Sequence, residues 1–269
     1  MSLILLYGRP GTGKTTLACS MTNLGYKIDL VDVDDKATTM DNIKPLIDKG
    51  QVKIYPIRSK FLETSLRKRI LQPRLARIKQ PKGYLEFCDI IESFESLEDG
   101  SKMDSVLVAP DSLTGLQLHL EALILHLNPP PPPKNKLAYD SLKNEFDQWD
   151  TLRSNFHELF GSLRSLQRVF KHVIVIAHEM SVMDEETKEI SAVLPNIRGS
   201  MRNDYGQYFN EVYNLQKPKL TQKGSVYRVL TKSVGLEDAR TSRDLQTIEE
   251  ADFAILFKDE RAQQKESSR

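Results

Sequence analysis

Short apolar runs alternate along the chain with stretches whose apolar positions recur every three or four residues. The runs at 3–7, 27–33, 52–57, 105–109, 172–177, 211–216 and 226–231 read as strands, and several are continuous in Leu, Ile and Val, as strands buried on both faces are. Helical periodicity predicts helices over 15–24, 112–127 and 139–170. In the last, Phe146, Trp149, Leu152, Phe156, Leu159, Leu163 and Leu166 form one apolar stripe, which reads as core packing. Alternation of strands with helices predicts an α/β fold, a mostly parallel central sheet with helices on both faces.

A length of 269 residues suits one such domain with insertions, expected over 1–257. No internal repeat is visible. Five consecutive prolines within 128–135 cannot be helical and predict a stiff connector between helices. The stretch 258–269 is polar without periodicity and reads as a disordered tail. A net charge of +1 conceals segregation. Nine basic residues fall within 58–82 against the single acid Glu63, and 86–104 is then acidic apart from Lys102, so that 58–104 reads as a charged insertion. A phosphate-tracking patch and a solvated amphipathic helix both account for the basic part. Two cysteines, Cys19 and Cys88, stand in no metal-ligand spacing and read as reduced core thiols of a cytoplasmic protein. His119 and His126 lie in one helix without a third ligand and read as packing or surface residues. No apolar run approaches the length of a membrane span.

The strongest chemical signal follows the first strand. Gly8-Arg9-Pro10-Gly11-Thr12-Gly13-Lys14-Thr15 fits G-x-x-x-x-G-K-[ST], the turn whose glycines let backbone N–H groups wind round phosphates at a helix N-terminus. The turn, with Thr16, predicts a nucleoside-triphosphate site in which Lys14 reaches the β- and γ-phosphates and the Thr15 hydroxyl holds Mg²⁺. The strand 106–109 runs through Pro110 into Asp111, a candidate Mg²⁺ anchor; Pro110 predicts an early strand end or a bulge, and Asp111 or Ser112 also suits an N-cap. Asp34 stands 20 residues beyond Lys14 and is a candidate to orient an attacking water, with Asp32 and Asp35 as competitors. A further strand ends in His178-Glu179 at the sheet's carboxyl edge, where His178 is placed to sense a γ-phosphate; a structural role suits it equally. The polar segment after it reads as a partly hairpin-like functional loop.

Taken in series, GRPGTGKT, LVDVDD, VLVAPDSLTG, VIVIAHE, LPNIRGSMRNDYGQYFNEVYNL and YRVLTKSVGLEDARTSRDL resemble the RecA-like P-loop ATPases, in particular the phage-encoded single-strand annealing ATPases, over about 2–245. Asp34 stands where RecA itself has a glutamate, and the proline before Asp111 is a second departure. The resemblance implies ATP and Mg²⁺ as cofactors, ATP hydrolysis, and action on single-stranded DNA in recombination or annealing, with a single-strand-binding protein as a candidate partner. It also implies a homo-oligomer, ring or filament, in which Lys232, Arg240 and Arg243 complete a neighbour's site in trans. DNA would meet the loop carrying Lys188, Arg198 and Arg202. A nucleotide-gated assembly, packaging or helicase-type motor component and a small-molecule kinase are the alternative readings.

Overall fold

The computed structural model describes residues 1–58, 81–127, 146–199, 201–221 and 224–260. Most of the basic stretch (59–80), the proline-rich connector, residues 139–145 and residues 261–269 lie outside them.

Every position of the first strand, β1 (Ser2–Gly8), is buried, because it lies inside the sheet and is covered on both faces. The other parallel strands are β2 (Lys27–Asp32), β3 (Val52–Pro56), β4 (Lys102–Asp111), β5 (Phe170–Met183) and, after the hairpin strand β6 (Ile190–Pro195), β7 (Glu211–Leu215). They are ordered β7-β1-β5-β4-β2-β3. A two-stranded ribbon, β8 (Lys219–Thr221) with β9 (Gly224–Val226), precedes β10 (Arg228–Leu230), and β10 and β11 (Ile248–Glu250) extend the β7 edge antiparallel.

Alternate side chains of each inner strand enter opposite cores. Leu3, Leu5 and Tyr7 of β1 join Leu107, Val173 and Val175 on one face. Three helices cover that face: α3 (Gly83–Glu95), α4 (Leu113–Leu127) and α5 (Phe146–Ser165), through residues such as Phe87, Phe94, Leu116, Phe156 and Phe160. Here α3 follows two earlier helices, α1 (Lys14–Cys19) and the short α2 (Lys44–Asp48). Ile4 and Leu6 point the other way, to α1, Met21 and the short helix Phe253–Leu256. Each fully buried Leu, Ile or Phe in these layers contributes about 1.5–3 kcal/mol.

Several expectations change. The acidic run includes a core helix: α3 turns Tyr84, Phe87, Ile91 and Phe94 into the core and leaves Asp89 and Glu92 in solvent. Strand 172–177 continues to Met183 because β6 pairs with its far half, making the segment after His178 a true hairpin. Strand 226–231 is broken at Tyr227, whose carbonyl accepts from Ala251 N while the chain passes from ribbon to main sheet. The tail is not loose from Lys258: the Glu260 carboxylate accepts hydrogen bonds from Tyr26 Oη at 3.0 Å and Arg243 Nη2 at 3.1 Å, and lies 3.0 Å from His172 Nε2. Cys19 is buried and Cys88 half-buried, both free. In the apolar stripe, Leu152, Phe156, Leu159, Leu163 and Leu166 are buried as expected; the side chains of Phe146 and Trp149 lie outside the description.

Candidate functional site

Because β1, β2, β4 and β5 are parallel neighbours, their carboxyl ends open on one edge, and the sequence-singled residues at those ends converge there. The glycine-rich turn leaves β1 at Gly8, where an added Cβ would stand 2.6 Å from the Leu215 carbonyl oxygen, so glycine is required by the close approach of β7. Gly11 and Gly13 have φ of 78° and 86°, the left-handed region glycine enters without steric cost. The turn then feeds directly into α1. The Tyr227 ring packs over Gly13, 3.1 Å from the position of a Cβ there.

Lys14, only 7% exposed, folds back to donate to the carbonyls of Gly8 at 2.9 Å and Arg9 at 2.8 Å. Burial lowers its pKa to about 8 against the opposing pull of Asp111, Glu179 and Asp34. The Thr15 hydroxyl donates to Asp111 Oδ2 at 2.7 Å. Burial raises the Asp111 carboxyl to about 7, with the charges of Asp32 and Asp34 adding to the rise and the Thr15 bond opposing it. A hydroxyl beside a buried carboxylate that resists ionising suits a divalent cation, and Mg²⁺ uses few protein ligands when phosphates and waters supply the rest. Among the described residues no three His, Cys, Asp or Glu side chains form a metal cage. β4 reaches Asp111 with its register shifted against both neighbours between Val108 and Asp111, so Pro110 is accommodated by the expected irregularity. The Ala109–Pro110 and Asp111–Ser112 peptides are cis. Ser112 caps α4 through Gly115 N at 3.1 Å.

The three aspartates after β2 separate clearly. Asp32 is buried and its Oδ2 accepts from Ala37 N at 2.8 Å, which fixes the turn. Asp35 is an exposed turn residue with φ 53°. Asp34 faces the cleft, accepting from Ser112 Oγ at 3.2 Å, with Lys36 Nζ at 3.7 Å and His178 Nε2 at 3.8 Å. Burial opposes its charge, but His178, Lys36 and Ser112 outweigh it and hold the pKa below the ordinary carboxylate value. His178 is positioned by its own backbone N–H, which donates to Thr114 Oγ1 at 3.0 Å, while ring Nδ1 is buried without a hydrogen-bond partner among the described residues. Lys14, Thr15, Asp34, Asp111 and His178 thus line one cleft of about 200 Å³. Beside it Thr16 Oγ1 accepts from Asn42 Nδ2 at 2.8 Å.

Other sequence-singled residues are not brought here. Lys232 and Arg240 are exposed, Arg240 donating to the Phe209 carbonyl. Arg243 is 19% exposed at the opposite sheet edge, its guanidinium 3.4 Å from the Phe257 ring centroid and paired with Glu260. Lys188 stands in the hairpin tip among Asp184, Glu185, Glu186 and Glu189, and Arg198 is paired with Glu121 at 2.7 Å. Sequence reasoning missed the Arg9–Glu179 ion pair at 2.6 Å, which ties the glycine-rich turn to the β5–β6 hairpin, and it missed Tyr227. The charge run 216–236, five cations and no acid, was the available signal for the latter region.

Fold and cleft define a Rossmann-like α/β protein with a mostly parallel sheet and a glycine-rich turn at its carboxyl edge. In comparisons with known proteins, no family model and no curated sequence matches this chain. Among the described residues no helix is long and apolar enough to cross a membrane.

Proposed function

We propose that this chain is a RecA-like ATPase that binds ATP with Mg²⁺, hydrolyses it and acts on single-stranded DNA as a homo-oligomer. One observation carries the reading: the order β1-β5-β4-β2 gathers Lys14, Thr15, Asp111, Asp34 and His178 at one cleft, although they are scattered over 165 positions of sequence. Lys14 neutralises the terminal phosphates, exchanging its two carbonyl bonds for a stronger charge-assisted contact. Thr15 and Asp111 hold Mg²⁺, which supplies charge neutralisation at the transferring phosphate. Asp34, kept ionised, accepts a hydrogen bond from the attacking water, and His178 fixes its carboxylate and reports on the cleft. Lys232 and Arg240, exposed, are available to an adjoining subunit; Arg243 is committed to Glu260 and is left out of that role.

The test is Mg²⁺-dependent ATP turnover with and without an oligothymidylate, for the wild type and Lys14→Ala. Turnover that rises with oligonucleotide and disappears in the variant supports the reading. ATP-dependent assembly indifferent to DNA would instead identify a nucleotide-gated assembly component.

A further inference from the structure

The stretch 216–236 carries Lys217, Lys219, Arg228 and Lys232 among its five cations and no acid, whereas the hairpin 179–195 carries five acids and only Lys188. The two poles flank a cavity of about 430 Å³ at the carboxyl edge, within the range of ligand-binding clefts at about 300–1,000 Å³. Arg9, Lys217, Lys219 and Arg228 line it, against Glu179 and Glu237. Glu179 is already neutralised by Arg9. Lys217, Lys219 and Arg228 make no ion pair among the described residues. Lys219 opens the ribbon strand β8 and Lys217 lies in the connection between β7 and β8, and both line the cavity. Next to Arg228, Tyr227 keeps 40% of its surface exposed while its ring rests on Gly13.

Resting on the reading above, we propose that this cavity binds the phosphodiester backbone of single-stranded nucleic acid, with Lys217, Lys219 and Arg228 neutralising phosphates and Tyr227 offering its ring to a base. Cations gathered along one cavity wall beside an exposed aromatic ring form the combination that tracks single strands without reading sequence. The hairpin tip after His178, where the family resemblance leads, repels phosphates through its acids. Arg9 belongs to both the glycine-rich turn and the cavity, so the strand would lie against the nucleotide site itself.

The experiment measures fluorescence anisotropy of a labelled oligothymidylate over a range of salt, ATP binding by calorimetry, and oligomer size by light scattering. The full chain is compared with Lys217→Glu, with Lys217→Glu/Lys219→Glu/Arg228→Glu and with Lys188→Glu. The triple variant is expected to lose about a hundredfold in oligonucleotide affinity, and neutral replacements at the same positions to lower the salt slope by about 2. Lys217→Glu alone, at an exposed position, loses part of the affinity with ATP binding retained, which separates the effect from misfolding. Unchanged oligonucleotide affinity in the triple variant overturns the proposal. So does loss of assembly with unchanged affinity, which would make the cavity the seat of a second copy's acidic hairpin, and so does a loss confined to Lys188→Glu. A wild type that binds ATP but no oligonucleotide overturns this inference alone; one that binds neither removes the ATPase reading too.

Discussion

Asp111→Asn should make the empty protein more stable while weakening its response to Mg²⁺. The folded state pushes the Asp111 carboxyl from its ordinary 3.8 to about 7, chiefly by burial, so folding favours the protonated form. The unfolded chain loses this proton near pH 4 and the folded chain only near pH 7. Wild-type stability therefore falls as pH rises through that interval and levels off above it. About three pKa units at roughly 1.4 kcal/mol each amount to some 4 kcal/mol above pH 7, and about a third of that near pH 5. Asparagine cannot ionise, and its amide oxygen still accepts from Thr15, so the variant escapes the fall. Its melting temperature should exceed that of the wild type by on the order of 10 °C at pH 8 and by much less at pH 5. The assay is thermal and urea unfolding at both pH values, repeated with Mg²⁺ and ATP, which should stabilise the wild type more than the variant. A variant no more stable than the wild type at pH 8, or with the same gain at both pH values, refutes the argument.

Gly8→Ala would press a methyl group onto the Leu215 carbonyl and should cost about 2 kcal/mol or more, read as a lowered denaturation midpoint. Asp34→Asn should lower ATP turnover by about a hundredfold with ATP affinity little altered; equal losses in affinity and turnover would point to a binding role. Glu260→Gln should destabilise by about 2–3 kcal/mol near neutral pH, since burial disfavours the Glu260 charge but His172, Tyr26 and Arg243 hold its pKa at about 2. That contribution is present above pH 4.5 and lost as pH falls towards 2, so the two proteins should converge in acid unfolding.

The inner strands were legible because burial on both faces demands unbroken apolar runs, and β1 and β2 read as such almost to the residue. The glycine-rich turn was legible because left-handed positions at Gly11 and Gly13 leave few residue choices. Strand ends were harder: the outer part of β5 and β6 owe their pairing to each other rather than to the core, and nearly all their residues are at least partly exposed, so no continuous buried run marks them. Glu260 looked like part of a charged tail, since its partners Tyr26, His172 and Arg243 come from three distant elements. Asp34 was distinguished from Asp32 and Asp35 only by placement, for all three share a residue type and a turn. The acidic α3 misled for the opposite reason: charge drew attention from Tyr84, Phe87, Ile91 and Phe94, whose spacing already described a core helix.

The central claim is that the amino-terminal turn grips a triphosphate through Lys14. Calorimetric titration of the full chain with ATP and Mg²⁺, in parallel with Lys14→Ala of verified fold, tests it most directly. A saturable isotherm for the wild type and none for the variant is the predicted result. Superimposable isotherms, or no heat from a folded wild type, would contradict it.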